Sequence, residues 1–212
     1  AALLASVCLL TSTAAKADLG PGPNDPYVTK AVTFLLDQRH LLRRPLDDEI
    51  SKRAFDAYLK SLDPMKVYFY QSDIDEFAKQ RLLLDDYTRN GDISFAYLVF
   101  NKFLERLDER IKEVPQLIAM EHDFSVEEEL VTDPDETTYP TTPTEAKDRW
   151  RKRIKYELLN FRDEEVESEE AVDRLNRRYS SYSKRMKQYK TDDILEIYLT
   201  SITSSFDPHT TY

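Results

Sequence analysis

The chain has 212 residues, 41% of them hydrophobic and 33% charged, with 40 Asp and Glu against 30 Lys and Arg for a formal charge of -10. That length sets one domain or at most two, and the acidic balance argues against a nucleic-acid partner. Only 3 glycines occur, against a usual share of roughly 7%, which excludes phosphate loops, dinucleotide folds and nucleophile elbows, all of which need glycine where backbone meets ligand.

Residues 1–10 (AALLASVCLL) are apolar, and Ala15-Lys16-Ala17 offers a small-residue cleavage site before Asp18. This pattern predicts the end of a secretory signal peptide over 1–17, and export, most simply to a bacterial periplasm. The apolar run is shorter than the ~20 residues of a membrane span; an uncleaved anchor holding the protein at the inner membrane is the other reading. Cys8 is the only cysteine, so neither an internal disulfide nor a cysteine zinc site is expected. Bulky Val7 before Cys8 argues against a lipoprotein site. The histidines, His40, His122 and His209, are far apart in sequence. No metal and no cofactor are expected.

Residues 18–26 (DLGPGPNDP) read as a flexible Pro/Gly linker. A first helix follows with Val28, Val32, Leu35 and Leu36 on one face. Pro45 breaks the chain and Asp47 is placed as an N-cap. Phe55, Tyr58, Leu59 and Leu62 then give a core-facing stripe, ended by Pro64. Residues 65–70 (MKVYFY) suit a lone strand or an extended crossing segment. Ser72 and Asp75 suggest a capping box opening one helix with Ile74, Phe77 and Ala78 inward, which runs to the Asn90-Gly91 turn. With Asp92 as cap, a long helix carries Phe100, Phe103, Leu104, Leu107, Ile111 and Val114 up to Pro115.

Residues 121–144 hold eight acidic residues, no Lys or Arg, and Pro134, Pro140 and Pro143; they read as an irregular acidic loop. Helical spacing returns with Trp150, Ile154, Leu158 and Phe161. Val172, Leu175, Tyr179, Tyr182, Met186 and Tyr189 follow at 3-4-3-4-3 spacing, the seam of a helix packed nearly antiparallel on a neighbour. Thr191 caps a last helix with Ile194, Ile197, Tyr198 and Ile202 on one face. The expected fold is all-α, six or seven helices in a bundle-like array with at most one short strand.

Few residues suggest chemistry. The basic run 147–155 (KDRWRKRIK) could receive an anion, but at helical spacing its charges spread around the cylinder. Solvation of those faces is the favoured reading, and pairing with the preceding acidic loop is a further one. Tyr179, Tyr182 and Tyr189 suit a core seam better than a binding surface. The carboxylate pairs Asp85-Asp86, Glu164-Glu165 and Asp192-Asp193 are adjacent and point apart on a helix. Ser183-Lys184 lies on a helix face with no glycine-rich turn nearby, so no catalytic residue is assigned. Asp63-Pro64 and Asp207-Pro208 echo each other as helix stops.

Residues 206–212 (FDPHTTY) resemble the D-P-H-[ST]-x-Y segment of C-terminal processing peptidases. Residues 53–64 (RAFDAYLKSLDP), 68–77 (YFYQSDIDEF) and 175–179 (LNRRY) are similar, in order and spacing, to the tail-specific protease branch. The resemblance implies an exported serine protease in which a PDZ domain captures the substrate's C-terminus and a Ser-Lys dyad cleaves it. The PDZ and protease domains would then be partners within the same parent chain, and unfolded or tagged proteins its substrates. The family's N-terminal helical domain forms part of a bowl around the catalytic platform, and in some members docks a helical-repeat adaptor lipoprotein. Asp207, Pro208, His209, Thr210 and Tyr212 match as a junction leading to the PDZ domain, not as a triad. The expected organisation is a helical domain over 27–206 and a junction over 207–212. The expected role is a non-catalytic scaffold and substrate-access domain, with a free-standing periplasmic scaffold as the alternative.

Overall fold

The computed structural model describes residues 19–39, 45–207 and 212. The expected signal segment, Cys8, His40, Pro208, His209 and Thr210 lie outside these residues.

Among the described residues there are eight helices and no strand: α1 (Asp25–Arg39), α2 (Asp48–Leu62), α3 (Gln71–Ala78), α4 (Leu84–Asn90), α5 (Ser94–Ala119), α6 (Pro143–Asp163), α7 (Ser168–Met186) and α8 (Thr191–Ser204). The all-α expectation holds, but the count is higher than six or seven. The helix expected to run from Ser72 to Asn90 is two, because residues 79–83 close into tight turns (Gln80 N–H to the Phe77 carbonyl, Leu83 N–H to the Gln80 carbonyl). Leu82, Leu83 and Leu84 cannot share one helical face. The interruption re-aims the chain so that Leu84 is buried while Leu82 and Leu83 stay exposed.

Several ends follow the sequence and several move. Asp47 caps α2, its carboxylate accepting from the Glu49 and Ile50 N–H groups at 3.1 Å each. α3 starts one residue before Ser72, and Asp73 rather than Asp75 reaches back to the Tyr70 N–H, at 3.0 Å. Asp193 likewise reaches the Lys190 N–H at 2.7 Å, so Thr191 is the first residue of α8 and not its cap. α5 runs through Pro115 to Ala119. A proline inside a helix costs ~3 kcal/mol, yet Val114, Leu117 and Ile118 around it are all buried, and that apolar burial outweighs the lost bond. Segment 65–70 forms no strand; it bends beneath α6 and α7.

α5 is the central element, packing on α7, α6, α8 and α2, while α2 lies along α8. The shared core is aromatic. Phe69 meets Phe77 edge-on at 5.6 Å and Tyr58 meets Tyr198 at 5.4 Å. The Tyr58 hydroxyl is satisfied at depth by the Ala96 carbonyl, 2.8 Å away. The tyrosine seam is core as expected, with Tyr179 buried and Tyr182 packed at its edge, but α7 ends at Met186 and Tyr189 packs from the turn beyond it.

α1 departs most from expectation. Its buried positions are Asp25, Thr29, Thr33 and Leu36, and Leu35 faces outward. The inner face is polar because the partners it meets are polar. The Thr33 hydroxyl lies 3.3 Å from the Thr88 carbonyl, and the Tyr97 hydroxyl donates to the Asp25 carboxylate at 2.9 Å. α1 also begins at Asp25, inside the segment expected as linker. Upstream, Leu19 is clamped by Asn101, which bonds its N–H at 3.1 Å and its carbonyl at 2.8 Å. Gly91 closes α4 with φ +73°, and a Cβ there would lie 2.7 Å from the Pro26 carbonyl oxygen. This glycine lets α4 and α1 touch backbone to backbone.

Candidate functional site

Of the expected junction residues, Asp207 and Tyr212 are among those described. Asp207 follows the end of α8, just after buried Phe206, and Tyr212 is 47% exposed. Among the described residues no group of three His, Cys, Asp or Glu side chains is placed to hold a metal ion.

The clearest concavity is a groove over segment 63–70. Its floor depends on Asp63, which the Leu62-Asp63-Pro64 pattern marks only as a helix stop. The Asp63 carboxylate is buried and accepts three backbone N–H groups, from Val67, Tyr68 and Phe69, at 2.8, 2.9 and 3.0 Å. Burial pushes its carboxyl above the usual range, and those amides and Arg153 pull the other way. Trp150 of α6 holds the same segment from the opposite side, its indole N–H donating to the Val67 carbonyl at 2.8 Å. The Tyr68 ring lies between those of Trp150 and Phe103, 5.6 and 5.3 Å away.

On one side of this floor, α7 contributes Arg178, Tyr179, Tyr182 and Arg185 to a cavity of about 490 Å³. On the other, the acidic loop contributes Leu130, Val131 and Thr132, and α6 contributes Lys152 and Tyr156, to one of about 420 Å³. Met65, Val67 and Arg153 line both, so the two are halves of one groove. No Lys or His lines the larger half, where Ser181 sits, and no Ser or Cys lines the smaller, where Lys152 sits. Neither half pairs a serine or thiol nucleophile with a lysine or histidine base. What the groove offers is apolar walls set with guanidinium heads.

The basic run is neither a ligand patch nor simply solvated, the reading favoured from its helical spacing. Its charges are held by the acidic loop and by α6 itself. Glu128 pairs with both Arg151 and Lys155, Lys155 also donates to the Val126 carbonyl at 2.9 Å, and Arg149 reaches Thr138 and Glu145. The pairing with the preceding acidic loop, the further reading of the run, is thus what the structure shows; helical spacing favoured solvation because Glu128 lies more than twenty residues upstream. The two cations hold the Glu128 carboxyl down at about 2, from an ordinary 4.5. A depressed carboxylate contributes stability that is full above its ordinary value and is lost as pH falls from there through the lower one. Intrinsic amide exchange slows as pH falls, so the readout is the protection factor: for residues 126–130 it is expected to fall as pH drops from about 4.5 toward about 2, and Glu128→Gln is expected to show the lower protection above about 4.5 and to converge with wild type near 2. Identical profiles for the two proteins would refute the tether.

Residues 32–212 match the sequence profile of the "Tail specific protease N-terminal domain". The chain belongs to the tail-specific protease family. Consistent with this, it is 34% identical over 185 residues to a "Tail-specific protease" from Haemophilus influenzae. The alignment covers 87% of this chain and 27% of that relative, so the chain spans about a quarter of the relative's length. Within the tail-specific protease N-terminal domain, the blocks 53–64, 68–77 and 175–179 acquire a structural meaning. They are α2 with its Asp63 stop, the floor leading into α3, and part of the α7 wall, so three of the segments that carried the resemblance contribute to the groove.

Proposed function

We propose that this chain is the non-catalytic scaffold and substrate-access domain of a periplasmic tail-specific serine endopeptidase, which degrades or processes proteins from their C-termini. The observation that carries the reading is the match of 32–212 to the family's N-terminal domain, at 27% of a relative's length. That Ser181 and Lys152 line different halves of the groove supports the non-catalytic part. The work of binding and hydrolysis then falls to PDZ and Ser-Lys domains of the parent chain. The groove and the outer helical faces offer surfaces to substrate, to those domains and to a helical-repeat adaptor lipoprotein. No helix among the described residues is long and apolar enough to cross a membrane.

The test compares the 212-residue chain with its full-length parent on an unfolded protein ending in apolar residues. The parent, recovered from the periplasmic fraction, is expected to degrade it, and the 212-residue chain to leave it intact. Turnover by the shorter chain that disappears when one of its own serines is replaced would overturn the non-catalytic assignment. A parent gene that stops at Tyr212 would select a free-standing scaffold instead.

A further inference from the structure

The outward face of α1 has no partner among the described residues. Tyr27, Phe34 and Leu35 are 75%, 63% and 56% exposed, with exposed Ala31 between them. These positions, i, i+4, i+7 and i+8, form one stripe along the helix. Single exposed apolar side chains are ordinary, but here Asp25, Thr29 and Thr33 take inward positions beside Leu36, while Tyr27, Phe34 and Leu35 point outward. A helix that spends polar groups on its own core and leaves an apolar stripe outside is shaped for a second contact.

Two contact points fix how α1 lies. Near its start, the Tyr97 hydroxyl touches both Asp25 and the Thr191 carbonyl at the start of α8. Eight residues on, Thr33 meets Thr88, which also faces the Tyr198 hydroxyl seven residues into α8. α1 and α8 therefore run side by side in the same direction. Phe34 and Leu35 follow Thr33 on α1, level with the middle of α8, which ends six residues beyond Tyr198 at Ser204. The H. influenzae relative is matched over only 27% of its length by what is an N-terminal domain, so most of such a protein follows the matched domain.

We propose that the stripe Tyr27, Phe34 and Leu35 is the seat for the part of the parent protein that follows Tyr212. The proposal rests on the domain reading above, since a free-standing chain would have nothing to place there. The stripe closes a seam between this domain and the rest of the parent chain.

Thiol labelling tests it. Phe34→Cys and, separately, Leu35→Cys are made in the 212-residue chain and in the full-length parent, with Cys8 replaced by serine throughout, and the label at each position is followed by mass spectrometry. In the 212-residue chain both positions should react at the rate of an exposed thiol. In the parent they should react about tenfold or more slowly, because modification of a covered thiol waits on local opening. Equal rates in the two proteins overturn the proposal. Protection that fades when the parent is diluted, or that arises in the 212-residue chain as its concentration is raised, overturns it in favour of a second copy. As an independent readout, Phe34→Asp combined with Leu35→Asp should lower the parent's melting temperature and leave that of the 212-residue chain unchanged; no change in either counts against the seat. Turnover by the wild-type parent, measured on the same preparation, reports the protease reading separately.

Discussion

Replacing Asp63 with alanine is expected to destabilise the domain by roughly 3–5 kcal/mol, because three N–H groups, two of them buried, lose this acceptor and each orphaned buried donor costs ~1–3 kcal/mol. Val67, Tyr68 and Phe69 donate to this one side chain, and Phe69 is fully buried, so water cannot take its place. Asp63→Asn keeps one acceptor oxygen and should fall between wild type and Asp63→Ala. Urea unfolding followed by far-ultraviolet circular dichroism measures both. A loss below about 1 kcal/mol for alanine, the typical net value of a single hydrogen bond, would mean that the carboxylate is not what holds the segment.

Trp150→Ala should cost about as much, roughly 3–5 kcal/mol, the usual range for emptying a buried aromatic site. The indole is 2% exposed, packs against Tyr68 and Tyr179, and bonds the Val67 carbonyl. Trp150→Phe separates these contributions. It keeps much of the ring volume and removes the N–H, so a smaller loss of about 1–2 kcal/mol is expected for the orphaned carbonyl. Asp63 and Trp150 grip opposite sides of the same residue, the N–H and the C=O of Val67. Their effects should therefore not add, and a double-mutant cycle should return a coupling of about 0.5–3 kcal/mol. Strict additivity would show that the two anchors act on independent structures.

The large helices were legible through strong periodicity, and α2 also through unambiguous ends. α2 has its Asp47 cap and its Pro64 break; α7 has an uninterrupted apolar seam. What the sequence hid were the features decided by distant partners. Leu35 looks like a core residue on any helical wheel, and it faces out because Thr33 and Asp25 find Thr88 and Tyr97 across more than fifty residues. The split between α3 and α4 was hidden in three consecutive leucines, of which only Leu84 is needed inside. Pro115 marks a stop by every local rule, and is carried through by the burial of Val114, Leu117 and Ile118.

The groove was visible only in pieces. Asp63 stood out through its echo at Asp207, and Trp150 through its place in a basic run, but nothing local joins them. A carboxylate that follows a helix end and precedes proline, with several amides free within the next six residues, is the signal that would have found the floor. The basic run needed the opposite correction. Its cations look available until the loop that compensates them is folded back, with Glu128 answering both Arg151 and Lys155.

Trp150 is the single tryptophan in the chain, and its ring sits dry against the floor of the groove. The domain thus carries an intrinsic optical probe at the place where its most exacting hydrogen bonds converge. Emission from the folded domain should be blue-shifted, and a red shift that precedes loss of helical signal would mark release of the Val67 segment alone. Ligands entering either half of the groove would register in the same channel, with no added label.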